Sequence, residues 1–227
     1  MLAAECMLDL NFVLDSSGSI NYKDATNWDK TRQFVANLTS RFTIGPNAVQ
    51  VALVLFGDHA AVEWNLTRYQ DKASLITAIM NVRYLDQETN LNDALYLTRT
   101  QIFARGRGTR PGANKISIIL TDGEDTVPEE GTPLTIQNAT ACKNAGIRLI
   151  AIGVSNKVDR SRLLRIVSSP SDYHAVDDFN ALSRLVNELL PADICTTTTA
   201  APAPGITIHS LFYTYDRTVA VEIAIHV

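Results

Sequence analysis

The sequence predicts an α/β fold: a doubly wound, mostly parallel six-stranded sheet of order 3-2-1-4-5-6, with one short antiparallel edge strand and helices on both faces. Three observations predict it. Short runs that are apolar throughout alternate with helical patterns, and strands apolar on both faces belong in a parallel sheet covered on both sides. Those runs close on turn residues, at Asp15, Gly57-Asp58, Thr121-Asp122-Gly123 and Gly153. With 227 residues and 46% apolar content, the chain can bury one substantial core, and a second full domain would be cramped.

The elements follow in order. Leu8–Leu14 reads as a buried central strand ending on Asp15. Thr26–Phe42 carries Phe34, Val35, Leu38 and Phe42 on one helical face, and Gly45-Pro46-Asn47 breaks the pattern. Val49–Phe56 is a second buried strand, and Ala61–Trp64 a short edge strand paired with it as a hairpin. Asp71–Asn81 is a modest helix. Leu91, Ala94, Leu95, Thr98 and Ile102 stripe the next one, which ends before Gly106-Arg107-Gly108. These glycines follow a helix, not a strand, so they are a linker rather than a nucleotide-binding turn.

Lys115–Leu120 is the fourth strand, and a helix over Pro133–Asn144 stops at Gly146. Ile147–Val154 is the fifth strand. Leu163, Leu164 and Val167 mark a short helix, and Tyr173–Val176 the sixth strand. Asp177 or Asp178 is placed to cap a last helix striped by Phe179, Leu182, Val186, Leu189 and Leu190, which Pro191 ends. From Thr196 the composition changes to Thr-Thr-Thr-Thr-Ala-Ala-Pro-Ala-Pro, an extended linker suited to O-glycosylation. The expected division is a domain at 6–195, a linker at 196–204 and a β-prone tail at 205–227. In that tail Val219, Val221, Ile223, Ile225 and Val227 share one side of a strand, the start of a following module.

Charge and cysteines narrow the function class. A net charge of −4 and a pI near 5.5 give no general electrostatic case for nucleic acid or an anionic membrane. No run of about 20 uncharged apolar residues exists to span a bilayer. The start, Met1 to Cys6, lacks the basic and apolar regions of a signal peptide. Cys6 and Cys195 bracket the domain, while Cys142 falls inside a predicted helix. That placement reads as a Cys6–Cys195 disulfide closing a domain in an oxidising compartment; three free thiols are the alternative. Glycosylation sequons at Asn37, Asn65 and Asn138 also lean towards secretion.

The chemistry concentrates at strand ends. Asp15-Ser16-Ser17-Gly18-Ser19 offers one carboxylate and two hydroxyls at alternate positions, which share a face if the segment is extended. Gly18 is expected to turn the backbone tightly between them. This all-oxygen set suits Mg²⁺ or Mn²⁺ rather than zinc; a solvated serine turn with an Asp cap is the plainer reading. In a doubly wound sheet, ligands bind at the carboxyl ends of strands where the order reverses. Strands 1 and 4 meet there, so Asp15 and Asp122 should converge on one crevice. Thr89 precedes the third long helix, as a further oxygen donor or as that helix's N-cap.

Asp15-Ser16-Ser17-Gly18-Ser19, Thr89-Asn90 with Ala94-Leu95, and Leu120-Thr121-Asp122-Gly123-Glu124 together resemble the three metal-site loops of the von Willebrand factor type A domain. The resemblance covers about residues 6–195, flanking cysteines included. It implies a metal-ion-dependent adhesion site holding Mg²⁺ or Mn²⁺ on Asp15, Ser17, Ser19, Thr89 and Asp122. The middle loop departs from the pattern: Gln87 and Glu88 stand where members often carry glycines, and Leu91 where many carry a second threonine. Glu88 brings negative charge towards an acidic partner. The resemblance further implies an extracellular adhesion or matrix module, without enzymatic activity, whose metal accepts an acidic side chain of a protein such as collagen. In integrin-type members the last helix moves on binding, which here is the helix of Leu182, Val186 and Leu189. A structural scaffold that binds partners through other faces is the alternative.

An enzymatic reading finds little support. Haloacid-dehalogenase-type phosphatases place Asp-x-Asp-x-Thr at a similar strand end, but the position of the second Asp, their acid/base, is Ser17 here. Neither a Gly-x-Ser-x-Gly elbow nor a Gly-x-x-x-x-Gly-Lys loop is present. His59, His174, His209 and His226 show no metal-ligand spacing.

Overall fold

The computed structural model describes residues 7–123, 131–189, 194, 211–215 and 218–222. The chain divides into two units, Met1–Thr196 and Thr197–Val227. In the first, the strands are β1 (Leu8–Asp15), β2 (Val49–Phe56), β3 (Ala60–Trp64), β4 (Asn114–Thr121), β5 (Ile147–Val154) and β6 (Tyr173–Val176). They form one sheet of order β3-β2-β1-β4-β5-β6. Every pairing is parallel except β2 with β3. The predicted order and the antiparallel edge strand are both present.

Side-chain alternation divides the core between the two faces. Leu8, Leu10, Phe12 and Leu14 of β1, Val49, Val51, Leu53 and Leu55 of β2, and Ile116, Ile118 and Leu120 of β4 point to one side. Val13, Ala52, Val54, Phe56, Ile119, Leu149 and Ala151 point to the other. The first face is covered by α2 (Asn27–Ser40), α3 (Lys72–Met80) and α7 (Leu182–Glu188); the second by α4 (Leu91–Leu97), α5 (Gly131–Asn144) and α6 (Arg160–Ile166). Each buried Leu, Ile or Phe contributes on the order of 1.5–3 kcal/mol, so this two-sided burial dominates stability.

Helix ends follow local chemistry, with some departures from the sequence reading. Asp71 caps α3 by accepting from Ser74 N, and Gly146, at φ 74°, ends α5 as a left-handed cap. The cap of α4 is Asn90, whose Oδ1 accepts from Asp93 N at 3.1 Å, so Thr89 is left free of that duty. The stripe from Leu91 to Ile102 is not one α-helix, because Thr98–Ile102 forms a π-turn. Leu163, Ile166 and Val167 face the core from the α6 region, whereas Leu164 is half-buried. Before α7, Asp178 closes a turn by accepting from Ala181 N at 3.0 Å rather than capping the helix itself. Phe179 is buried ahead of that helix, and Leu190 lies outside the described residues.

Cys142 is a free, buried thiol whose Sγ meets Leu95 O at 3.4 Å. Burial pushes its pKa up to about 11. Cys6 and Cys195 lie outside the described residues, and so does their expected disulfide. In the second unit β7 (Leu211–Tyr215) pairs antiparallel with β8 (Thr218–Glu222). A hairpin therefore stands where one strand was expected; Asp216-Arg217 between its strands is not one of the usual tight-turn pairs. Val219 and Val221 lie on β8, while Ile223, Ile225 and Val227 fall outside the described residues. Among the described residues no helix is long and apolar enough to cross a membrane.

Candidate metal centre

The sheet order reverses between β1 and β4, and the candidate residues gather at the carboxyl ends of these strands. Asp15, the last residue of β1, is fully buried. Its Oδ1 accepts from Ser17 N at 2.9 Å, and its Oδ2 accepts from the Thr121 hydroxyl at 2.6 Å. Ser19 Oγ lies 3.0 Å from Ser17 Oγ and donates to Asp122 Oδ1 at 2.6 Å. Four of the five predicted residues are thus joined through hydrogen bonds between their own oxygens or through Asp15 itself. Thr89, buried, lines the same cleft, an opening of about 730 Å³ that Ser17, Ser19, Asp122, Glu88 and Lys157 also border.

The route to this convergence differs from the extended loop expected. Ser19 begins a short helix, α1 (Ser19–Tyr22), and Gly18 precedes it in helical conformation, at φ −60° and ψ −24°. The helical bend at Gly18, between Ser17 bridged to Gln87 and Ser19 at the helix start, brings the two hydroxyls together. Gly18 matters for what it lacks: a Cβ there would lie 3.0 Å from Asp86 Oδ1.

The middle loop is bound tightly to the first. Gly18 N donates to Gln87 O at 2.8 Å, and Asp86 N to Ser16 O at 3.0 Å. Leu85 N donates to Ser16 Oγ at 2.8 Å, and Tyr84 Oη to Ser17 O at 2.7 Å. Asp86 takes a left-handed φ of 56°, an uncommon conformation that Asp tolerates better than most residues. Glu88 N donates to Asp58 Oδ1 at 2.7 Å, which ties the loop to the end of β2. Thr89 is therefore held by a framework that its own sequence neighbourhood does not advertise.

Electrostatics fit a cation. Burial pushes the Asp15 carboxyl up to about 6 despite its hydrogen bonds from Ser17 and Thr121, and Asp122 adds to the rise. Burial also raises Asp122, against lowering by the Ser19 hydrogen bond and the Lys157 charge. Two carboxylates held at a desolvated junction, with hydroxyls completing the set, are matched by a small hard divalent ion. Among the described residues no group of three or more His, Cys, Asp or Glu gathers for a metal, so hydroxyls are integral to any cation site here. His59 is exposed and His174 half-buried on β6, while His209 and His226 lie outside the described residues.

Two functional neighbours escaped the sequence reading. Thr121 supports Asp15 from the adjacent strand; its place before Asp122 in Thr-Asp-Gly was the available signal. Lys157, in the loop after β5, has no local motif, and only the fold brings it to the cleft.

A doubly wound sheet with carboxylates and hydroxyls gathered at its switch point defines a class of α/β domain. The von Willebrand factor type A domain family matches residues 9–188, and the chain belongs to it. It is 29% identical over 200 residues to matrilin-1 of Gallus gallus, covering 83% of this chain and 38% of that protein. It is 32% identical over 189 residues to the collagen alpha-1(XXI) chain of Xenopus laevis, covering 82% of this chain and 18% of that one. The chain thus spans well under half of these relatives. Among solved structures, proximal thread matrix protein 1 from the mussel byssus, with its adhesion site occupied by zinc, superposes with a TM-score of 0.75 and 28% identity, over 85% of this chain and 47% of that one.

Proposed function

We propose that this domain is an extracellular adhesion or matrix module that binds an acidic side chain of a protein partner through Mg²⁺ or Mn²⁺ held by Asp15, Ser17, Ser19, Thr89 and Asp122. The observation that carries the reading is Ser19 Oγ, which reaches both Ser17 Oγ at 3.0 Å and Asp122 Oδ1 at 2.6 Å at the mouth of the cleft. A bound Mg²⁺ supplies an electrophilic position for an incoming carboxylate. The chain's own residues orient the donors: Thr121 fixes one Asp15 oxygen, and the Tyr84–Gln87 segment fixes the Ser16–Gly18 turn. Two carboxylates match the formal charge of the ion, but three of its five donors are neutral hydroxyls, so it keeps electrophilic character for a further oxygen ligand.

The relatives support the setting, since matrilin-1 and collagen chains share this domain. We assign the domain to about residues 6–195, an extended linker to 196–204, and an outside location with a Cys6–Cys195 disulfide and collagen or another matrix protein as partner. No enzymatic role is assigned, because the relatives that share this domain are matrix proteins. Binding of the full chain to immobilised collagens and other matrix proteins tests this. Binding in Mg²⁺ that EDTA abolishes supports the reading. Binding of equal strength in EDTA overturns it and favours a scaffold domain that uses another face.

A further inference from the structure

We propose that Lys157 tunes the metal site towards acidic ligands: its ammonium opposes a cation that binds alone and joins the metal in holding a partner's carboxylate. The inference rests on the metal reading above and adds a residue to it. Lys157 borders the cleft together with Ser17, Ser19, Thr89 and Asp122. It also borders an adjoining pocket of about 180 Å³ shared by Tyr22, Asp122 and Asp177.

Its loop is held by contacts within itself, to β6 and to the site. Ser155 adopts a left-handed φ of 78° and its N donates to Val176 O at 2.8 Å. Ser155 Oγ reaches Asp122 O at 3.5 Å and accepts from Lys157 N at 3.3 Å. The ammonium itself lies 5.6 Å from the centre of the Tyr22 ring, a cation–π contact. No carboxylate forms a salt bridge with it among the described residues. Tyr22 is 80% exposed, so the ring serves as a platform for Lys157 and leaves its own surface open to a partner.

Among the described residues, the charges lining the cleft are Asp122 and Glu88 against Lys157, with Asp15 buried beneath them. A divalent ion entering this set meets one like charge, and a carboxylate arriving with it meets two opposite ones. Coordination of the carboxylate by the metal couples the two, each raising the other's affinity by the same factor, and Lys157 shifts the balance from metal alone towards metal with ligand. Lys157 therefore acts as a selectivity device for acidic partners and discourages idle metal occupancy.

The test uses Mn²⁺ as the metal and acetate as the carboxylate, with chloride matching the ionic strength. Free Mn²⁺ is read by electron paramagnetic resonance for the 227-residue chain, Lys157→Met and Lys157→Arg. Lys157→Met should bind Mn²⁺ alone about three- to tenfold more tightly, the scale of one screened like charge lining the same cleft. At one sub-saturating acetate concentration, the tightening of Mn²⁺ binding should be several-fold smaller in Lys157→Met than in the wild type or Lys157→Arg. An unchanged Mn²⁺ affinity in Lys157→Met, or an intact acetate effect there, overturns the proposal while leaving the metal site standing. A wild-type protein that binds no Mn²⁺ overturns both.

Discussion

The Thr121 hydroxyl donates to Asp15 Oδ2 at 2.6 Å, joining two adjacent strand ends that lie 106 residues apart in sequence. Because Ser17 N occupies the other oxygen at 2.9 Å, Asp15 is held in one orientation below the cleft. A carboxylate so buried is costly to leave without donors. Thr121→Val should therefore destabilise the domain by about 1–3 kcal/mol at neutral pH, and Thr121→Ser should lose much less. Urea denaturation at pH 7.4 without metal checks this. Equal midpoints for Val and wild type would mean the bond contributes nothing.

Asp15 gives the site a pH dependence. Its folded pKa of about 6 is above the unfolded value near 3.9, so the folded state binds its proton more tightly. The sign follows: stability from this group is greatest below about pH 4 and declines as pH rises through about 6, by about 3 kcal/mol in all. A bound cation competes with that proton and offsets the loss. Stabilisation by Mg²⁺ should thus be clear at pH 7.4 and small at pH 5, measured as the shift in melting temperature with added metal. Asp15→Asn should show no metal-dependent shift at either pH.

The last helix offers a test of movement. Leu182, Leu185, Val186 and Leu189 are buried in the same apolar cluster as Phe34 and Leu38 of α2. Leu189→Ala should cost about 2–5 kcal/mol as a large-to-small change. If the resting helix position is the low-affinity one, the folded variant should also bind its metal-dependent ligand more tightly, bounded by the gap between states. Equal or weaker binding would argue for a fixed helix.

The three sequons are not equivalent in the fold. Asn65 and Thr67 are both exposed just after β3, an edge strand. Asn37 is exposed on α2, but Thr39 is buried beneath it. Asn138 is half-buried and its Nδ2, the atom a glycan would occupy, donates to Asn92 Oδ1 at 2.7 Å. Site mapping of protein secreted from animal cells should find a glycan at Asn65 and none at Asn138. Occupancy at Asn138, or an empty Asn65, would contradict this.

The sheet was legible because its strands carry apolar side chains on both faces, a pattern that few other elements produce. Val49–Phe56 and Ile147–Val154 match the observed strands residue for residue. The site was legible where a motif sits on a strand end, as at Asp15 and Asp122. Less accessible was anything that depends on three-dimensional closure. The helical turn at Ser19 is four residues long and has no periodicity to read. The π-turn at Thr98 preserves the apolar stripe of an α-helix, so the pattern could not reveal it. Lys157 reaches the cleft only because β5 lies beside β4, and a lone lysine after a strand carries no signal of that.

The central claim is that Asp15, Ser17, Ser19, Thr89 and Asp122 hold one divalent cation. Calorimetric titration of Mn²⁺ into the 227-residue chain and into its Asp122→Ala variant tests it most directly, with melting curves to show that both are folded. The account predicts a single saturable site in the wild type that is absent from a folded Asp122→Ala. A wild type with no saturable binding, or a variant with an unchanged isotherm, would contradict it.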